Sequence, residues 1–168
     1  MKKATLLIAC LAMLLSFSVA ACHAAAADDG VAYFDTTGLT IGEIAHADGL
    51  AFERLPDDAA FSTDSVTKSS VEGFTVTSFG GNTSMDKALA LNSEYGYFRI
   101  FINNQGEAMT VAIGDRSVIT VAPGVWCIDA TEQWPDVSQT VSFSCSTGLS
   151  GSANAALCST SDGGNRDN

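Results

Sequence analysis

The chain predicts an all-β, mainly antiparallel fold: one small β-sandwich of jelly-roll-like type. Three observations carry that expectation. Apolar and polar residues alternate at period two through most of the second half, as they do in strands with one buried face. A turn rich in glycine, proline or asparagine follows each run, and short, evenly spaced strands with turns between them mark sandwiches and barrels. Residues 31–159 have the length of one ordinary domain.

The elements follow in order. Leu39 to Ile44 and Leu50 to Leu55 each fit a strand or a short helical turn. Val71 to Phe79 fits a strand that ends at Gly80-Gly81. Ser84 to Asn92 fits a short helix capped by Ser84, with Met85, Ala88 and Leu89 on one side. It equally fits a strand through Ala88 and Ala90, and periodicity does not arbitrate at this length. Tyr97 to Ile102 puts Phe98, Ile100 and Ile102 on one face and leaves Phe101 on the other, and Asn103 to Gly106 reads as a turn. Met109, Val111 and Ile113 form the next strand, and Ser117 to Ala122 the one after. Pro123-Gly124 turns the chain into Val125 to Asp129, where Trp126 is in phase with Ile128 and expected in the core. A loop through Trp134-Pro135 leads to Val141, Phe143 and Cys145, alternating with serines, and Ala153 to Ser159 closes the set. Residues 160–168 lack apolar side chains and read as a disordered tail.

The first thirty residues carry a different message. Met1-Lys2-Lys3 is a cationic head, and Ala4 to Ala20 is an apolar run broken only by Thr5, Ser16 and Ser18. That order defines a secretory signal peptide. It ends in Val19-Ala20-Ala21-Cys22, which resembles the lipobox of bacterial lipoproteins. The resemblance covers residues 1–22 and implies a signal peptide of residues 1–21, cut before Cys22, with diacylglycerol on the Cys22 thiol. Two acyl chains make a durable anchor where one is marginal. Residues 22–30 would then be a lipid-anchored spacer. Ala24 to Ala27 also offers an A-x-A cleavage site, whose use would release a secreted protein instead.

Charge narrows the partners. Beyond residue 22 the chain has six basic and nineteen acidic side chains, a net of −13. Such a surface argues against nucleic acid, which needs a basic face. It also argues against lying flat on an anionic membrane. The expected membrane contact is therefore the lipid alone.

Chemistry-bearing residues are sparse. His46 is the single histidine of the domain, and no nucleophile elbow, zinc motif or phosphate loop occurs. Asp57, Asp58, Asp115, Asp129 and Asp136 have the right donor type for calcium but lack its spaced loop. No metal or cofactor is assigned. Cys127, Cys145 and Cys158 remain after the leader, and an oxidising exterior favours one disulfide among them. Cys145–Cys158 is the leading pair, because Thr147 to Ser152 resembles a hairpin connection, with Cys127–Cys145 next. Trp134 lies in the longest loop of the sheet half, where a tryptophan either stacks on a ligand or folds back as a lid on the core. The resulting expectation is a surface-anchored, non-catalytic module that binds a protein or glycan. An envelope hydrolase and a structural envelope component are the alternatives.

Overall fold

The computed structural model describes residues 25–26, 31–60 and 70–161. The expected leader, the Cys22 attachment site and most of the tail lie outside them. The described residues form twelve strands and no helix. They are β1 (Ala25–Ala26), β2 (Ala32–Asp35), β3 (Ile44–Ala47), β4 (Leu50–Leu55), β5 (Ser70–Val76), β6 (Ser84–Leu89), β7 (Tyr97–Asn104), β8 (Met109–Ile113), β9 (Ser117–Val121), β10 (Gly124–Ala130), β11 (Gln139–Ser144) and β12 (Gly151–Cys158). One sheet has the order β1-β2-β9-β8-β11-β6, the other β3-β4-β10-β7-β12-β5. All described pairings are antiparallel except β2 with β9. The fold is the expected β-sandwich.

The inner faces are set by the alternation. Val111, Ile113, Ile119, Val121, Val141 and Phe143 point inward from the first sheet. Phe98, Ile100, Ile102, Trp126 and Ile128 meet them from the second. Ring contacts tie the layers together: Phe34 on β2 lies 5.1 Å from Phe52 on β4, and Phe74 on β5 lies 6.1 Å from Phe143 on β11. Such pairs add to the area they bury, by about 0.5–1.5 kcal/mol each.

The two sheets differ on their outer faces. In β8 and β9 every second residue is partly exposed, so the first sheet has one solvated face. The central strands β10, β7 and β12 are buried on both faces. Leu55, Phe101, Val125 and Cys127 form a second apolar cluster on the outer side, with Ala59 packed on it. Phe101 thus packs against the first half of the chain. Beside that cluster Arg99 grips Asp129 with two hydrogen bonds, Nε to Oδ1 at 2.6 Å and Nη2 to Oδ2 at 2.9 Å. Both side chains are buried, and a buried charge of this kind is tolerated only when paired and hydrogen-bonded.

Several local expectations change. Of the two readings open for Ser84 to Asn92, the strand is the one formed: Ser84 to Leu89 is β6, its side chains alternating between exposed and covered against β11. Leu39 to Ile44 is mostly a turn: Leu39 plugs the core, and the strand begins at Ile44. Strand β7 runs through Asn103 and Asn104, which had read as a turn. Asn104 is buried because its amide donates to Glu107 O at 2.8 Å and Val121 O at 3.1 Å. Ala25 and Ala26, expected in the spacer, pair with β2 at the sheet edge.

Candidate functional site

Sorting the connections by end places the site. At one end of the sandwich the chain crosses from sheet to sheet five times, through residues 36–43, 77–83, 105–108, 122–123 and 145–150. These are arches. The opposite end carries the two hairpins, β3–β4 and β8–β9, together with the connections 90–96 and 131–138.

Three arches are stitched together by their backbones. Phe79 N donates to Gly151 O at 3.0 Å and Gly81 N to Leu149 O at 3.1 Å. Leu149 N returns to Asn82 O at 2.7 Å, and Gln105 N donates to Ser150 O at 3.0 Å. The Leu149 side chain, 1 % exposed, is driven into the core beneath them. These bonds leave a cleft of about 400 Å³, within the roughly 300–1,000 Å³ typical of small-molecule sites. Its walls include Thr77, Ser78, Gln105, Thr147, Ser150 and Ser152. No charged or aromatic residue lines it. Gly80, Gly81, Gly148 and Gly151 shape it, all at positive φ. Gly151 is obligatory at its position: φ is 107°, and a Cβ there would collide with the Asn103 carbonyl oxygen.

Two more depressions adjoin this cleft. One, of about 380 Å³, shares Gln105 and is bounded by Arg54, Asp57 and Pro123. Arg54 donates to Val125 O at 3.0 Å and pairs with Asp57 at 2.8 Å, while its guanidinium covers the Trp126 ring at 5.3 Å. The other, of about 200 Å³, lies on the outer face of the second sheet between Phe101, Val125, Ser152 and Asn154. The Asn154 side-chain oxygen is buried with no hydrogen-bond partner. An orphaned group of this kind costs about 1–3 kcal/mol.

Apart from Asp57, which bounds the Arg54 depression, the residues singled out from sequence lie elsewhere. Trp134 is 2 % exposed and belongs to the core. Its ring meets Phe98 edge-on at 5.0 Å and is capped by the Arg116 guanidinium at 4.8 Å. It is the lid of the hairpin end, so its ring face is not available for stacking on a ligand. Arg116 is itself held by Glu132 and by Asp48, the latter at 3.4 Å. Burial pushes the Arg116 guanidinium down, but the hydrogen bond to Glu132 and the charge of Asp48 outweigh it and raise it above its ordinary value. His46 is exposed on the edge strand β3. Asp129 is committed to Arg99 and Asp57 to Arg54. Among the described residues no three His, Cys, Asp or Glu side chains are placed to share a metal ion.

The expected disulfide is absent: none of Cys127, Cys145 and Cys158 is bonded to another. The stretch Thr147 to Ser152 is a sheet-crossing arch, not a hairpin. Cys145 stands at the arch end, beside Ala108 and Thr147. Cys158 is at the far end of β12, roughly 20 Å away at about 3.3 Å per residue, where a disulfide needs Cα atoms within about 7 Å. Cys127 sits mid-strand on the outer face of the second sheet, a layer away from Cys145.

Fold and cleft together define a two-layer β-sandwich with a neutral, arch-built concavity. Comparison with known proteins finds no matching family, no matching curated protein and no matching solved structure.

Proposed function

We propose that the protein is a non-catalytic binding module of the bacterial cell envelope, and that it takes an uncharged, hydroxyl-rich ligand, a glycan, at the arch end. The neutrality of the cleft carries this reading. A chain with nineteen acidic residues lines this arch-end cleft with hydroxyls, one carboxamide, glycine backbone and Leu149, and with no charged side chain. Hydroxyl and amide groups both donate and accept hydrogen bonds, and so do sugar hydroxyls. The backbone stitching fixes the walls before ligand arrives, which lowers the cost of binding. A protein partner would instead be anchored by large aromatic or arginine side chains, and the cleft walls contain neither.

Anchoring is the second part of the proposal. The Val19-Ala20-Ala21-Cys22 pattern supports cleavage before Cys22 and a diacylglyceryl tether there. The intact mass of protein taken from its native membrane tests it. A polypeptide beginning at Cys22 with added acyl mass is expected; one beginning within or after Ala24 to Ala27, without lipid, refutes the tether. Binding is tested on an array of neutral glycans with the mature protein and with Thr77→Trp, which fills the cleft from an exposed wall position. Retention of a selective signal by the parent and its loss in the variant are expected. Equal signals from both would refute the cleft.

A further inference from the structure

We infer that the ligand is a chain of several sugar units, not a single sugar, and that the Asn154 depression is the subsite for its far end. This rests on the glycan reading of the arch cleft and extends it. The three depressions are neighbours that share walls. Gln105 belongs to the arch cleft and to the Arg54 depression, Asn103 and Val125 to that depression and the Asn154 one, and Ser152 to the Asn154 depression and the arch cleft. They therefore lie side by side from the arches to the outer face of the second sheet. A single sugar fills one of them; only an oligomer has the reach to occupy the set.

Asn154 gives the far end its chemistry. Ser152 and Asn154 are two residues apart on β12 and so project from one face. Their cross-strand partners are Asn103 and Phe101. The result is a strip of hydroxyl and carboxamide groups beside an apolar floor of Phe101 and Val125, the combination that suits a sugar, polar at its rim and apolar on its ring face. In native proteins a buried polar atom without a partner calls for an explanation. Asn154 lines this depression, and a ligand hydroxyl bound there would offer its carboxamide a hydrogen-bonding partner.

Calorimetric titration of the mature protein with neutral β-linked glucose and N-acetylglucosamine oligomers of one to six units tests this. Affinity is expected to rise with length over the first few units. Asn154→Leu, which removes the orphaned group and keeps the fold, is expected to erase the last part of that rise, about five- to tenfold in Kd, and to leave the shortest binder unchanged. Thr77→Trp is expected to abolish binding at every length. Length-independent affinity that Thr77→Trp still abolishes would overturn the far subsite and leave the arch cleft standing. A length gain that survives Asn154→Leu would overturn the assignment of Asn154. No binding by either series would overturn the glycan reading itself.

Discussion

The two ends of this sandwich are built from the same strands and solve opposite problems. The hairpin end is closed by side chains: Trp134 covers Phe98, Arg116 covers Trp134, and Asp48 and Glu132 hold Arg116. The arch end is stitched by backbone, with Leu39, Phe79 and Leu149 buried beneath the stitching. Side-chain closure at the hairpin end packs Trp134 between Phe98 and Arg116. At the arch end the stitching runs through backbone groups of glycine-bearing segments, and Thr77, Gln105, Thr147, Ser150 and Ser152 line the cleft beside it. Trp134 therefore belongs to the packing of the hairpin end, and glycines and small hydroxyl residues line the cleft at the arch end.

Mutation should separate the ends, and the largest effect belongs to the lid. Trp134→Ala removes a buried ring that contacts Phe98 and is expected to cost about 3–5 kcal/mol of stability. Once the protein is folded, binding at the arch end should be unchanged. Chemical denaturation gives the first number and glycan titration the second; a stable variant that no longer binds would reverse the roles assigned to the two ends.

Gly151→Ala comes next. The clash with Asn103 and the positive φ should cost about 2–3 kcal/mol. Here stability and binding should fall together, because the arch that is strained is also the cleft wall. A third variant, Arg116→Gln, keeps an amide over Trp134 but removes the charge. With the ion pairs half in solvent, a loss of about 0.5–1 kcal/mol is expected in denaturation, and it should shrink in high salt only by the ion-pair part. The smallest stability change belongs to Thr77→Trp. An exposed wall position should tolerate it within about 0.5 kcal/mol, while glycan binding is lost.

The same contrast explains what was legible in the sequence. Strands β8, β9 and β11 alternate cleanly because one face of the first sheet is wet, and their spans follow from local pattern alone. Phe98, Ile100 and Ile102 point inward as expected, yet Phe101 and Cys127 are buried on the opposite face. Period two does not reveal a sheet covered on both sides. Asp48-Gly49 is a hairpin turn with both residues at positive φ, 49° and 72°, and that dipeptide is a strong hairpin signal. It joins β3 to β4 and favours the strand over the helical turn for Leu50 to Leu55. The arches are another matter. A glycine- and serine-rich stretch such as Thr147 to Ser152 looks the same whether the next strand pairs with the last one or crosses to the other sheet. That choice is made by distant partners, Asn103 and Thr75 among them for β12. The cleft, assembled from three such stretches, had no local signature. Trp134 drew notice as a large residue in a long loop, and its burial depends on Arg116 and Phe98, which no spacing brings together.

The most direct test is backbone amide chemical-shift mapping of the mature protein during titration with a neutral oligosaccharide it binds. The account predicts shifts concentrated in Thr77 to Asn82, Gln105, Gly106 and Thr147 to Ser152, extending to Asn103, Val125 and Asn154 for the longer oligomers, with Asp48, Arg116, Glu132 and Trp134 unmoved. Shifts centred on those last four residues would place the ligand at the hairpin end and contradict it.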